Sequence, residues 1–303
     1  MASTPRTAMP PTGRQLTIAS GTAAAVVTEV GAGLRSFEVD GVGYVETYPL
    51  EVRPPRGAGA LLVPWPNRVA GGRWRWQDAD QQLALTEPAA GNAIHGLLRH
   101  VVWTVQEHAA DHVRLTAVAT VQPGWPQPVR VGVDYAVGPG GLTVTIDAEN
   151  LGTGDVPFGV GSHPDLRAGA SATADGTLHL AATTALPLRD QLPGGPTRAL
   201  DAAERTVALR GAALDDCFGG ARPADGDDLV RHRLTGPAGG VELWADPAFG
   251  WVQVFTPDDF DGHGPAVAVE PMTCPPDALH SGTDLVVLGP GETWRGRWGL
   301  TPL

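Results

Sequence analysis

Two ionisable side chains stand directly before a proline, in stretches that are otherwise apolar or glycine-rich. Glu270 ends the apolar run 266–269, and His163 follows a glycine-rich stretch. A carboxylate is costly to bury unless it is hydrogen-bonded or used, so Glu270 is the first candidate for a general base. An imidazole titrates near neutral pH, and His163 could therefore donate a proton there. The structural alternatives are an ion pair between Glu270 and an arginine, and a structural histidine in a turn.

Five further polar side chains could hold a ligand that carries hydroxyl groups. Adjacent amide and guanidinium groups suit such a ligand, although the arginine could instead tie down a loop. A histidine between apolar residues is more often a hydrogen-bonded core residue than a functional one. A glutamine on the aromatic face of a predicted strand suggests a site, but it could also be a satisfied core group. The candidates are Asn67, Arg68, His95, Asp216 and Gln253.

The scaffold that positions these residues is predicted to be all-β. Apolar residues alternate with polar ones over 113–121, 129–137 and 142–150, and glycines with a proline join the last two runs as a hairpin. No window of a dozen residues without glycine or proline shows a helical apolar stripe. Shorter strands are predicted at 178–182, 241–245, 251–256 and 266–270, and short helical turns at 201–204 and 276–280.

The domain organisation follows from these strands and the turns between them. Residues 1–14 are polar and proline-rich, and we expect them to be a disordered segment. Residues 15–303 are expected to form a single large antiparallel β-domain, either a sandwich or a barrel. The proline after His163 and the proline after Glu270 should each end a strand, which would bring both side chains to a cleft.

Composition excludes several kinds of chemistry and partner. All 21 basic residues are arginines, so a Schiff-base lysine and a Walker A lysine are excluded. The net charge of −12 argues against nucleic acid and anionic membranes as partners. Without a signal peptide or an apolar spanning segment, the expected location is the cytoplasm, with Cys217 and Cys274 as free thiols. A homodimer and a monomer are both compatible with the sequence.

The candidate residues occur in an order that resembles the aldose 1-epimerase, or galactose mutarotase, family. The resemblance runs from about Val30 to the C-terminus and rests on several short motifs together. Their positions are Asn67-Arg68, His95-Gly96, Ser162-His163-Pro164, Asp216, Gln253 and Glu270-Pro271.

This resemblance implies a β-supersandwich fold of the galactose mutarotase type, with the site in a cleft on one sheet. It implies Glu270 as general base and His163 as general acid, with a free sugar as substrate and with no organic cofactor and no required metal. It also implies that the sugar is held by Asn67, Arg68, His95, Asp216 and Gln253. Asp165 stands where the family usually carries an aromatic residue, which argues against assuming its usual galactose or glucose preference.

Two alternative enzyme classes use some of the same residues. A glycoside hydrolase needs two carboxylates at a defined separation, which Asp216 and Glu270 could provide. A non-haem iron oxygenase could use the His-x-Asp pattern of His163 and Asp165. The proline between those two residues would disrupt the strand that normally presents such ligands.

Two further alternatives also involve binding of a sugar. A non-catalytic sugar-binding protein would not need Glu270 and His163 together. An epimerase of an anionic sugar, phosphorylated or sulfonated, would need more arginines at the rim of the pocket. The arginines available for that purpose are Arg99, Arg167 and Arg189.

Overall fold

A computed structural model describes residues 9–303, and their regular secondary structure is almost entirely β-strand. In chain order the strands are β1 (Gln15–Ser20), β2 (Ala23–Thr28), β3 (Leu34–Val39), β4 (Val42–Gly43), β5 (Leu61–Leu62), β6 (Arg68–Val69), β7 (Arg73–Trp76), β8 (Ala79–Gln82), β9 (Ala93–Ile94), β10 (Thr104–His108), β11 (His112–Ala119), β12 (Val129–Gly138), β13 (Gly141–Asn150) and β14 (Val156–Phe158). They continue as β15 (Gly161–Ser162), β16 (Thr177–His179), β17 (Thr184–Leu186), β18 (Leu188–Arg189), β19 (Leu192–Pro193), β20 (Arg198–Ala199), β21 (Thr206–Ala208), β22 (Asp215–Gly219), β23 (Val230–Gly236), β24 (Gly239–Ala245), β25 (Trp251–Phe255), β26 (Ala268–Met272), β27 (Val286–Leu288) and β28 (Thr293–Pro302).

Two large antiparallel sheets carry the architecture. One has nine strands in the order β10-β11-β12-β13-β28-β24-β23-β16-β21, and the other has seven in the order β20-β17-β22-β25-β26-β15-β5. A four-stranded sheet, β1 to β4, packs with its first two strands on β12. Apolar side chains from all three sheets belong to one continuous core. The prediction of a large antiparallel β-sandwich is confirmed.

The central hairpin of the nine-stranded sheet forms where the alternation predicts it. Strands β12 and β13 pair from Val129 and Asn150 to Gly138 and Gly141, so a two-residue loop connects them. Every second residue of β12 from Val129 onward is buried, whereas the residues between are glycine or more exposed polar and small residues. The period of two therefore fixes which face of this sheet covers the core.

The seven-stranded sheet separates the core from the polar residues that form the site. On β25, Val252 and Val254 belong to the core cluster, and Gln253 between them points to the other face. Gln253 is opposite Glu270 on β26, so these two polar residues share one face of the sheet. The alternation of adjacent side chains thus lets one sheet cover the core and also line a polar cavity.

Strand β26 does not end before its proline, which corrects the prediction for 266–270. It runs from Ala268 to Met272, and Pro271 pairs with Val252 inside the ladder. The N–H groups of Val269 and Thr273 point away from β25 and bond to the carbonyls of residues 164 and 160. Pro271 stands two residues from both Val269 and Thr273, so the N–H that it lacks would also point away from β25. The hydrogen bonds between β26 and β25 are therefore kept.

Part of the N-terminal segment is hydrogen-bonded to the rest of the fold. Residues 1–8 lie outside the described residues, so the expectation of disorder there is not addressed. From residue 10 onward the chain is tied down, because Val30 donates a backbone hydrogen bond to Thr12 (3.0 Å) and Glu29 donates one to Arg14 (3.0 Å). Thr12 is buried. Residues 12–14 are thus already bonded to the segment 29–30, and the domain boundary at residue 15 stays a prediction.

Helices contribute little to the described part of the chain. The α-helix α1 spans Ala278–Ser281, close to the helical turn predicted at 276–280. The turn predicted at 201–204 is not helical; there the side chain of Asp201 accepts hydrogen bonds from two following N–H groups. No helix among residues 9–303 is long and apolar enough to span a membrane.

Both cysteines are buried free thiols, as predicted.

Candidate active site

One cavity of about 720 Å³ brings together six of the seven predicted site residues. This volume lies within the range of small-molecule sites, roughly 300–1,000 Å³. The cavity opens on the polar face of the seven-stranded sheet, next to the loops that follow β4, β5, β8 and β9. The six predicted residues that line it are Asn67, Arg68, His95, His163, Gln253 and Glu270.

Glu270 and His163 form a close, buried pair in this cavity. His163 Nε2 lies 3.4 Å from Glu270 Oε1, and the two residues are 2–3% exposed. His163 directly follows β15, as the proline after it predicts. Its backbone is fixed on both sides, because its N–H bonds to Ala60 O (3.0 Å) and its carbonyl accepts from Gly59 N (2.7 Å). The imidazole is therefore held rigidly against the carboxylate.

The surroundings move the pKa values of both groups upward. Burial raises the pKa of Glu270 to about 7, against the attraction of His163, and the charges of Asp165 and Asp215 add to the increase. Burial alone would lower the pKa of His163, but the carboxylates of Glu270 and Asp165 outweigh it and raise that pKa to about 9. Near pH 8 the imidazole is thus charged and the carboxylate is largely ionised, although the two groups titrate as a coupled pair.

Asp165 lies behind His163 and does not line the cavity. Its Oδ2 is 3.4 Å from His163 Nδ1, while Glu270 approaches the opposite nitrogen of the ring. Asp165 is 3% exposed, and its backbone carbonyl accepts a hydrogen bond from Glu46 N (2.7 Å). The acid at this position therefore acts on the imidazole and not on a ligand. Because Asp165 faces Nδ1 of His163, it is not placed to bind one iron ion together with His163 Nε2.

His95 and Asn67 hold each other through backbone and side chain. The N–H of Asn67 donates to His95 Nδ1 (3.2 Å), and the N–H of His95 donates to Asn67 O (2.9 Å). Because Nδ1 accepts, the proton of the neutral ring must be on Nε2. Burial and then the charge of His163 keep the pKa of His95 well below its usual value. His95 is therefore a neutral donor, and its ring lies edge-on to that of His163 with centroids 5.8 Å apart.

Gly96 allows the backbone to pass close to Val63 and so to place His95 in the cavity wall. Its φ is +72°, and a Cβ there would lie 1.9 Å from the backbone oxygen of Val63. Only glycine permits so close an approach of two backbone segments. The backbone contact at Val63 therefore explains why glycine follows His95 in this motif.

Arg68 is anchored by a carboxylate that the sequence did not single out. Its guanidinium binds both oxygens of Glu87, at 2.8 and 2.9 Å, in a bidentate pair. Its Nη1 lies 3.9 Å from Asp215 Oδ2. Arg68 therefore ties down a loop and also lines the cavity, and its role in holding a ligand stays a prediction. Glu87 precedes a proline, as Glu270 does, and this was the signal available in the sequence.

The acid that faces the cavity from β22 is Asp215, which corrects the prediction of Asp216. Asp215 pairs with Phe255 and lines the cavity, whereas Asp216 pairs with Val254, whose side chain belongs to the core face. Gln253 Nε2 donates to Asp215 Oδ1 (2.7 Å), and the Oε1 of this buried glutamine has no partner among the described residues. Two adjacent aspartates give no hint of which one faces the cavity until the strand register is known.

A divalent ion could be held by three residues of the cavity. His95, His163 and Glu270 each offer one ligand atom, and these atoms lie within 4.8 Å of one another. His95 contributes only Nε2, because Nδ1 already accepts a hydrogen bond. The donor set of two imidazoles and a carboxylate would suit zinc. The expectation that no metal is required remains a prediction.

The fold and the cavity together define a galactose mutarotase-like β-sandwich. The structure of a galactose mutarotase-like protein from Clostridium acetobutylicum matches with a TM-score of 0.83 at 18% identity, over 95% of this chain and 94% of that one. An aldose epimerase homologue from C. elegans matches with a TM-score of 0.81 at 16% identity, over 96% and 98% of the two chains. At these identities the similarity establishes the fold.

The chain belongs to the aldose 1-epimerase family, whose sequence profile matches residues 14–301. The Escherichia coli (strain K12) protein YihR, itself uncharacterised, is 33% identical over 290 residues, which cover 93% of this chain and 91% of that protein. A second uncharacterised protein of the same strain, YphB, is 28% identical over 277 residues, or 84% and 89% of the two chains. The family indicates an epimerase, within the isomerase class.

Proposed function

We propose that this protein is an aldose 1-epimerase that interconverts the α and β anomers of a free aldose by general acid–base catalysis. One observation carries the proposal: the buried pair of Glu270 and His163, 3.4 Å apart, lines a cavity with polar side chains suited to hydroxyl groups. Family membership supports it independently.

The reaction needs one base and one acid. Glu270 removes the proton from the anomeric hydroxyl while His163 gives its Nε2 proton to the ring oxygen, so that the bond between C1 and the ring oxygen breaks and an aldehyde forms. Rotation about C1–C2 then presents the other face of the aldehyde. In closure His163 takes back the proton from the hydroxyl and Glu270 returns its proton to the carbonyl oxygen. Each positioned proton transfer accelerates such a step roughly 10²–10⁴-fold.

The other residues of the cavity have roles that match their hydrogen-bonding state. His95 offers a neutral Nε2–H, which can stabilise charge that develops on the ring oxygen. Gln253 has a free acceptor oxygen, and a sugar hydroxyl can donate to it. Arg68 and Asp215, together with Asn67, provide further donors and acceptors around the ring. All of these groups act on hydroxyls or on the ring oxygen and require no cofactor.

The alternative classes have less support. With Asp216 on the core face, the carboxylate pair of a glycoside hydrolase would be Asp215 and Glu270. Asp215 is bound by Gln253 and lies near Arg68, and this pair would leave no role for His163 beside Glu270. A non-catalytic sugar-binding protein would keep Arg68, Asp215 and Gln253. It would give no reason for a histidine held between two carboxylates, at 3.4 Å on each ring nitrogen.

Polarimetry of freshly dissolved α-D-glucose and α-D-galactose, at pH 8, tests the proposal. We expect the wild-type protein to speed the approach to equilibrium, and Glu270→Gln and His163→Asn to lower the catalysed rate at least about 100-fold, because each removes one proton transfer. Thr235→Ala, a substitution in the nine-stranded sheet outside the cavity, is the control and should stay within twofold of the wild type.

The possible results of this experiment distinguish the proposed epimerase from a non-catalytic binding protein. Full activity in Glu270→Gln and His163→Asn would refute the assigned roles of these two residues. Absence of catalysis on neutral and anionic aldoses alike, with sugar binding retained in calorimetry, would favour the non-catalytic binding protein.

A further inference from the structure

The cavity has an arginine that no residue of the fold neutralises. Arg99 lines the cavity and is only partly exposed, yet within residues 9–303 its guanidinium makes neither an ion pair nor a hydrogen bond. Burial lowers the pKa of Arg99, and the more distant Glu87 offsets this only in part. A guanidinium has five donors and no acceptor, so a group of this kind that faces a cavity is suited to an anionic ligand.

Neighbouring carboxylates are already engaged with other cations. Both oxygens of Glu87 bind Arg68, which also lies near Asp215. Glu270 faces His163. Three carboxylates line the cavity, and the cations that lie against them are Arg68 and His163. Within residues 9–303 none of the three carboxylates forms an ion pair with Arg99.

Two more arginines stand at the mouth of the same cavity. Arg53 and Arg56 are exposed, line the cavity and form no ion pair with any residue of the described chain. Arg53, Arg99 and His100 line the same cavity, and after burial the charges of the two arginines lower the pKa of His100. We call Arg53, Arg56 and Arg99 the arginine rim.

The loop that carries two of these arginines is held close to the acid–base pair. Gly57 lies against the His163 ring, since a Cβ on this glycine would be 3.5 Å from its Cδ2. Arg56 adopts a left-handed conformation, φ +52°, which is unfavourable for a residue other than glycine. Its guanidinium lies over the ring of Phe255, 5.9 Å from the centroid, on the cavity face of β25. The nearby acid Asp259 is occupied by the N–H groups of Gly262 and Gly264.

The overall charge of the chain makes this concentration of cations notable. The net charge is −12, and yet the cavity carries three arginines that form no ion pair with any of residues 9–303. Cations in a recess attract anionic ligands and hold them through charge-assisted hydrogen bonds. By contrast, Arg167, one of the arginines considered from the sequence, pairs with Glu46 outside the cavity, and Arg189 is exposed on β18.

We infer that the substrate is an aldose with an anionic substituent remote from its anomeric carbon, bound by the arginine rim while C1 faces Glu270 and His163. This inference rests on the proposed function and specifies its substrate class. Phosphate, sulfonate and carboxylate share the chemistry that the rim recognises, and the experiment below distinguishes them.

The test compares catalysed anomer exchange of glucose, glucose 6-phosphate, 6-deoxy-6-sulfoglucose and glucuronate, each corrected for its spontaneous rate. We expect kcat/KM at least about tenfold higher for one of the anionic sugars than for glucose. Arg99→Gln should lower that kcat/KM roughly 10–100-fold, as expected for loss of a charge-assisted hydrogen bond, and change the value for glucose less than twofold. Arg53→Gln and Arg56→Gln should have smaller effects, because exposed charges are screened. Arg189→Gln removes an exposed arginine outside the cavity and should change neither value.

A binding experiment keeps the inference separate from catalysis. Calorimetry would compare 1,5-anhydroglucitol with its 6-phosphate and 6-sulfonate, which cannot open. Tighter binding of an anionic analogue that depends on Arg99 supports the rim, even if no sugar is epimerised and the proposed function fails. Equal kcat/KM for neutral and anionic sugars, or an Arg99→Gln variant that affects both equally, would overturn the inference and leave the epimerase proposal standing.

Discussion

The protonation of His163 depends on a carboxylate on each side of its ring. Glu270 is 3.4 Å from Nε2 and Asp165 is 3.4 Å from Nδ1, and their charges outweigh the effect of burial. An imidazole held as a cation at neutral pH is a ready acid, and a carboxylate whose pKa is raised toward 7 is a base matched to the same pH range. In the proposed mechanism Asp165 is thus a positioning residue for His163.

The pH dependence of kcat/KM should reflect this pair. We expect activity to rise near pH 7 as Glu270 loses its proton and to fall near pH 9 as His163 loses its own. Asp165→Asn removes a charge that raises both pKa values, so both limbs should move to lower pH, by roughly one unit. Initial rates of anomer exchange from pH 5 to 10 would measure the shift.

Glu46→Gln is the matched control for Asp165→Asn. Glu46 is a buried carboxylate beside Asp165, but it pairs with Arg167 (3.0 Å) and does not contact the His163 ring. Its profile should coincide with that of the wild type. If Asp165→Asn also leaves both limbs in place, the carboxylate does not control the imidazole.

At the scale of single strands, the alternation of side chains along β22 decides which of its two aspartates can contact a ligand. Asp215 shares its face with Gln253 and the cavity, and Asp216 shares its face with the core residue Val254. Asp215→Asn should lower kcat/KM roughly 10–100-fold, because it weakens charge-assisted hydrogen bonds to Gln253 and to the substrate. Asp216→Asn should stay within twofold. Equal losses in both variants would show that the register of β22 differs from the one described.

The same strand shows what the sequence could and could not predict. Period-two alternation identified the hairpin of β12 and β13. Glu270 and His163 both line the cavity, but only the proline after His163 follows the end of a strand, because β26 continues through Pro271. The choice between Asp215 and Asp216 depends on pairing with β25, which is distant in the chain. Arg99 was named from the sequence together with Arg167 and Arg189, but only Arg99 lines the cavity. Glu87, Arg53 and Arg56 were not named, because the loops that carry them come together only in the folded chain.

For the whole molecule, the core runs without a break through both large sheets and the four-stranded sheet. A continuous core predicts that residues 15–303 unfold as one cooperative unit. Far-UV circular dichroism and tryptophan fluorescence should then give coincident urea transitions. The tryptophans report from separate places, since Trp65 stacks near Trp125 (5.7 Å between centroids) and Trp298 lies on β28.

Protein concentration adds the control for this unfolding experiment. A monomer should unfold at the same urea concentration when the protein is diluted 100-fold, whereas a homodimer whose folding is coupled to assembly should shift to lower urea. Since all the residues of the proposed catalytic pair and the arginine rim come from one chain, activity per subunit should not change on dilution in either case. Two separated transitions would contradict the single domain, because they would require a boundary that the core does not have.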